Sequence, residues 1–128
     1  MTVYYQTKIT DVGSEVPELI QGGILILYAT GAPPELAEVS VLHKVQVGPT
    51  VEAPSTGDRL RIGDVSAVLT AVGELAWKKV ADIGHVVINF DGADTSGRPG
   101  ELCASRVEPD ALLGALVSGA EITIEAAA

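Results

Sequence analysis

The chain has 128 residues, 47% of them hydrophobic, with 8 Lys and Arg against 17 Asp and Glu, a net charge of −9, and a single cysteine. A chain of this composition buries enough apolar surface to offset its lost entropy, which excludes disorder and predicts one domain over residues 1–128. The negative balance argues against a nucleic-acid partner, and Cys103 alone supplies neither a disulfide framework nor a multi-cysteine zinc site.

The opening segment MTVYYQTKIT has no apolar run behind a basic stretch. The longest apolar run, Ile24–Ala29, is far short of a membrane span, so a cytoplasmic protein is expected. Val3–Val12 reads as a strand, with Val3, Tyr5, Thr7 and Ile9 alternating with Tyr4, Gln6, Lys8 and Thr10. Ser14 is placed to cap a short helix over residues 15–21, with Pro17 in its first turn and Gly22 past its end. Ile24–Ala29 is a continuous apolar strand, expected to be buried on both faces. A turn and one helical turn follow, and residues 39–47 form the next strand. Residues 48–57, with Pro49, Pro54, Ser55 and Thr56, read as a loop.

Arg59–Ile62 and Val65–Val72 flank Gly63-Asp64, a two-residue hairpin signal. A helix is predicted over residues 74–83, its apolar side formed by Leu75, Trp77, Val80 and Ile83 and its end set by Gly84. Strands at 85–91, 101–107 and Glu121–Glu125 complete the chain, with a polar loop at 91–100 and a turn of helix within 110–118. About eight short strands, with helices too short and too few for a βαβ series, predict an all-β fold. A closed or nearly closed β-barrel with a few short helices follows, because closure removes exposed edges.

Chemistry-bearing motifs are few. There is no phosphate-cradling glycine loop, no paired-cysteine motif, no HExxH and no GxSxG. Asp91 and Asp94 with their glycines lack the alternating ligands of a calcium loop and read as a polar turn. The histidines are His43 and His85. In the strand over 39–47, His43 shares a face with Val39, Val41, Val45 and Val47, so a titratable imidazole stands in an apolar row. One reading is a core histidine with both ring nitrogens hydrogen-bonded. The other is a nucleophile, kept as the free base by its apolar setting and shielded from water.

His85 opens the strand after Gly84. It reads either as a strand-end histidine bonded to backbone or as a second imidazole supporting a phosphoryl group. Two histidines could also ligate a metal, but spacing marks no third ligand. Lys44 must point away from His43, Cys103 reads as a small buried hydrophobe, and Trp77 as packing. Lys78 and Lys79 read as a solvated helix face.

A set of fragments in fixed order adds to this. They are Tyr5-Gln6-Thr7, Ile9-Thr10 and Gly13, then Gly31-Ala32-Pro33, Glu35-Leu36 and Leu42-His43. Thr70-Ala71-Val72-Gly73-Glu74-Leu75 follows, then Gly84-His85-Val86 through Phe90-Asp91-Gly92, and Pro99-Gly100. With them the chain resembles the glucitol/sorbitol-specific IIA component of the bacterial phosphoenolpyruvate-dependent sugar phosphotransferase system (PTS). The resemblance covers most of residues 1–107 and is less clear over 46–60 and at the alanine-rich end. Some relatives carry a second histidine soon after the first, where this chain has Val45.

The resemblance implies a β-barrel phosphocarrier of the cytoplasm that takes a phosphoryl group from HPr and passes it to IIB, for coupled import through IIC. It places the phosphorylated histidine at His43, matches His85 without assigning it an equal role, and implies no cofactor and no metal. A homo-oligomer formed through a strand edge or hairpin stays open. The competing readings are a non-catalytic barrel of the same ancestry that binds a regulator or ligand, and a metal-dependent barrel enzyme.

Overall fold

The alternation that opens the chain produces a ten-residue strand, β1 (Val3–Val12), whose Tyr5, Thr7 and Ile9 point inward and are buried. The computed structural model describes residues 2–127. After β1 come α1 (Val16–Gln21), β2 (Ile24–Ala29), α2 (Pro34–Ala37), β3 (Val41–Val47), β4 (Arg59–Ile62) and β5 (Val65–Val72). Then follow α3 (Ala76–Ile83), β6 (Val86–Asn89), β7 (Glu101–Ala104), α4 (Pro109–Ala115) and β8 (Glu121–Glu125).

The strands close into a barrel in the order β1-β3-β2-β6-β7-β5-β4-β8. The β2–β3 and β6–β7 pairs are parallel, and the other neighbours are antiparallel. The all-β barrel expected from the strand count is therefore the fold. Among the described residues every strand has a neighbour on both sides over part of its length. No described helix is long and apolar enough to cross a membrane.

The Gly63-Asp64 hairpin forms as expected and joins Ile62 to Val65 in register. β2 departs from expectation. Leu25 and Leu27 are buried, while Ile24 and Ile26 are only partly covered. An eight-stranded barrel has one inner face filled by side chains, so its strands alternate even where the sequence is uniformly apolar. β6 and β7 are shorter than expected, and α4 starts one residue earlier and ends three earlier.

Ser14 does not cap α1. The N-cap position belongs to Glu15, which makes no side-chain cap bond. Backbone groups serve instead: Glu15 N–H donates to the Glu38 carbonyl and Val16 N–H to that of Gly13. Gly13 permits this approach, since a Cβ there would fall within 2.3 Å of the Ala37 and Glu38 carbonyl oxygens.

On α3 the buried side is Ala76, Trp77 and Val80. Leu75 and Ile83, expected on that side, are 49% and 47% exposed. Leu75 occupies the cap position opposite the buried face, and Ile83 lies at its margin beside the site described next.

Candidate functional site

β3 starts at Val41, not at 39, because Val39 and Ser40 donate their backbone N–H groups to Leu36 and Ala37 at the end of α2. β2 runs beside β3 only from Leu27↔Val41 to Ala29↔His43. Past His43 the strand has β1 alone as its neighbour. The apolar row therefore leaves the barrel there, and Val45 and Val47 are 38% and 43% exposed. His43 is the last inward residue of β3 and is fully buried, at the end of the core and beneath the surface.

Both ring nitrogens of His43 are engaged. Nε2 lies 2.9 Å from the Gly84 carbonyl oxygen, and Nδ1 lies 2.6 Å from Oγ1 of Thr7. A carbonyl oxygen only accepts, so Nε2 carries the proton. In the neutral ring Nδ1 is then an acceptor, and the Thr7 hydroxyl donates to it. Burial pushes the His43 pKa below its ordinary value, against the smaller opposing effect of the Gly84 carbonyl, so the ring is held as the free base. Tyr5 stands edge-on to it with ring centres 6.0 Å apart, and Trp77 packs on Tyr5 at the same spacing. Burial drives the Tyr5 phenol to about 12, which keeps it neutral beside the imidazole.

Gly84 reaches this position as the C-cap of α3, at φ +63 in the left-handed region. A Cβ there would meet the Ala29 Cβ at 2.7 Å. Ala29 is the residue paired with His43 across the β2–β3 ladder. Glycine is thus required twice, for the turn of the chain and for its closeness to β2. The result is that α3 delivers a backbone carbonyl onto the buried imidazole.

Gly84 also lines a surface cleft of about 540 Å³, with Tyr28, Ala29, Val45, Pro49 and Ile83. Nε2 is therefore hydrogen-bonded to a residue that lines the cleft. Nδ1, held by the fully buried Thr7, faces the interior.

His85 is placed differently. It stands in phase with the half-buried Val87, whereas Val86 and Ile88 fill the core. Its Nδ1 donates to the Leu27 carbonyl at 3.1 Å, and its ring lies against Tyr28 with centres 5.0 Å apart. It lines a separate cleft with Leu75, Lys79 and Arg98. The structure does not bring the two imidazoles into hydrogen bonding with each other. What joins them is backbone, since the carbonyl on His43 belongs to the Gly84-His85 peptide.

Lys44 is exposed on the opposite face of β3, as expected. Cys103 is buried, and desolvation raises its thiol above the ordinary value, which suppresses the reactive thiolate. Asp91 accepts from the Ala93 N–H within a turn. The described residues hold no cluster of three or more metal-ligating side chains.

Two residues of the site escaped sequence reasoning. Thr7 was visible as the polar member of an inward row with Tyr5 and Ile9. Gly84 was visible as a helix stop and as part of the Gly84-His85-Val86 motif, and nothing local says where its carbonyl points.

These features define a small closed barrel built around one buried, neutral histidine. It shares its fold with the PTS system IIA component from Enterococcus faecalis V583, whose crystal structure matches with a TM-score of 0.69 over 94% of this chain and 98% of that one, at 20% identity. Sequence carries the comparison further. The family model described as the PTS system glucitol/sorbitol-specific IIA component matches residues 4–123. Proteins named PTS system glucitol/sorbitol-specific EIIA component from Escherichia coli (strain K12) and Shigella flexneri are each 33% identical over 110 residues, 86% of this chain and 88% of theirs. The chain belongs to the glucitol/sorbitol-specific IIA component family of the PTS, as its sequence motifs implied.

Proposed function

We propose that the protein is a cytoplasmic phosphocarrier in which His43 accepts a phosphoryl group from phospho-HPr and hands it to the IIB component, for coupled uptake and phosphorylation of glucitol/sorbitol. The observation that carries this reading is the state of the His43 ring. It is neutral, shielded from water, and has Nε2 bonded to Gly84, which lines a surface cleft. A free-base imidazole is what a phosphorus nucleophile requires, and exclusion of water protects the labile N–P bond.

In this reading Nε2 attacks, because Nδ1 faces the interior. Docking of the donor displaces the Gly84 carbonyl. The Nε2 proton passes to solvent as Nδ1 takes one up, and the freed Nε2 lone pair forms a bond to phosphorus in line with the breaking N–P bond of the donor, whose imidazole leaves with the electron pair. Donor and product are both phosphoimidazoles, so the step is close to reversible. Catalysis consists mainly of positioning. The partly exposed apolar rim of Val45 and Ile83 gives the donor a surface to exclude water from. His85 supports the site through its own peptide, which it anchors by its bond to Leu27.

The test is intact mass after incubation with phosphoenolpyruvate, enzyme I and HPr. Wild type is expected to gain one acid-labile phosphate, His43→Ala none, and His85→Ala one at a reduced rate. A folded His43→Ala protein that is still fully phosphorylated would refute the assignment. No phosphate on wild type, with the donors active on another acceptor, would make the barrel a regulatory or ligand-binding module instead.

A further inference from the structure

The Thr7 hydroxyl has one hydrogen-bond partner among the described residues, the Nδ1 of His43, at 2.6 Å, and the residue is fully buried on the inner face of β1. Its neighbours along that face, Tyr5 and Ile9, are apolar or aromatic. A polar side chain in such a place costs stability unless its bond is kept. The chemistry explains why a hydroxyl stands there. In the resting ring Nε2–H is held by Gly84, so Nδ1 must accept. In the attacking ring Nε2 needs its lone pair, so Nδ1 must carry the proton and donate. A backbone carbonyl could serve only the second state and an N–H only the first. A hydroxyl serves both by rotating.

We propose that Thr7 is a positioning residue whose hydroxyl reverses its hydrogen bond to His43 Nδ1, donating in the resting protein and accepting during phosphoryl transfer, so that the ring is held with its proton on Nδ1 and its lone pair on Nε2. This rests on the phosphocarrier reading of His43. The change of tautomer consumes no proton: one leaves Nε2 and one is taken up at Nδ1, exchanged with solvent as the Gly84 carbonyl withdraws. In the transfer itself the N–P bond of the donor breaks, the Nε2–P bond forms, and the Nδ1 proton stays on the ring against Thr7. The resting arrangement satisfies all four groups, Nε2–H, Gly84 C=O, Nδ1 and Thr7 O–H, and the attacking one does not. The ring therefore stays unreactive until a partner displaces Gly84.

Two substitutions separate this role from packing. Thr7→Val keeps the shape and removes the hydroxyl, whereas Thr7→Ser keeps the hydroxyl and removes a methyl group. The assay is the rate of phosphate acceptance from phospho-HPr at varied donor concentration, with the protonation of the phosphorylated ring read from the ¹⁵N resonances of His43. Thr7→Val is expected to lower the saturating rate roughly 10- to 100-fold, the scale of one buried hydrogen bond to the reacting ring, with KM nearly unchanged and the slowly exchanging Nδ1 proton lost. Thr7→Ser is expected to stay within a few-fold of wild type and to keep that proton. A Thr7→Val rate within twofold of wild type would overturn the proposal. So would Thr7→Ser being as slow as Thr7→Val. Wild type that accepts no phosphate, with the donors active on another acceptor, would overturn the phosphocarrier reading itself, a result distinct from either.

Discussion

Replacing Gly84 with alanine perturbs the point where the fold and the site meet. Two costs can be worked from the geometry. The backbone there is at φ +63, which costs an L-residue about 1–2 kcal/mol. The added Cβ would sit 2.7 Å from the Ala29 Cβ, and 3.2 and 3.3 Å from the Ala29 N and Cα. These atoms belong to a paired barrel strand and cannot swing aside, so overpacking adds about 1–3 kcal/mol. The sum is about 2–5 kcal/mol, a fall of roughly 8–20 °C in melting temperature for a chain of this size.

The second cost is separable from the first. Ala29→Gly removes the facing methyl and alone costs about 0.5–1 kcal/mol. In combination it should recover most of the overpacking, the Cβ–Cβ part, and leave the cost of the left-handed backbone, which gives a coupling of about 1–2 kcal/mol in a double-mutant cycle. Urea unfolding of the four proteins measures this directly. The imidazole ¹⁵N resonances of His43 should shift in Gly84→Ala, because the carbonyl that holds Nε2 is displaced with the chain. A Gly84→Ala protein within about 0.5 kcal/mol of wild type, or an unchanged cost in the Ala29→Gly background, would refute this account of why glycine stands there.

Other consequences follow from the same site. The folded His43 has a pKa below the unfolded value of about 6.5, so above that pH both states are neutral and the full stability is present. As pH falls below about 6.5 the unfolded chain takes up a proton that the folded one refuses, and stability declines by up to about 1.4 kcal/mol per pH unit until the folded pKa is reached. Subtracting the urea-unfolding profile of His43→Gln isolates this contribution, and a difference that stays flat from neutral pH to pH 5 would contradict it. At the rim of the cleft, Ile83→Asp should leave stability within about 0.5 kcal/mol of wild type because the side chain is half exposed. It should raise the KM for phospho-HPr while sparing the saturating rate. An unchanged KM would remove Ile83 from the docking surface.

Local chemistry determined much of the fold. β1, β2 and β8 lie where alternation or apolar runs put them, the Gly63-Asp64 hairpin forms, and α3 ends at Gly84. Each depends on signals within a few residues: side-chain period, a two-residue turn and a glycine able to take positive φ. The strand count and the weakness of the helices also predicted closure, since an open sheet of short strands would leave edges to cover. His43 was legible as an imidazole in an apolar row, and the PTS family in the order of its motifs.

Long-range pairing decided the rest. The apolar row of β3 stops at His43 because β2 ends beside it, a limit set by another strand. β2 turned out half-covered because a barrel has a single inner face. The supports of the site come from residues 36 and 41 positions away in the chain, Thr7 and Gly84. No local pattern places a hydroxyl of β1 on one ring nitrogen and the last carbonyl of α3 on the other. Alternation along one strand was enough to put a titratable imidazole in an apolar row. Only barrel closure, by bringing β1, β3 and the end of α3 together, decided which nitrogen faces the interior and which the surface.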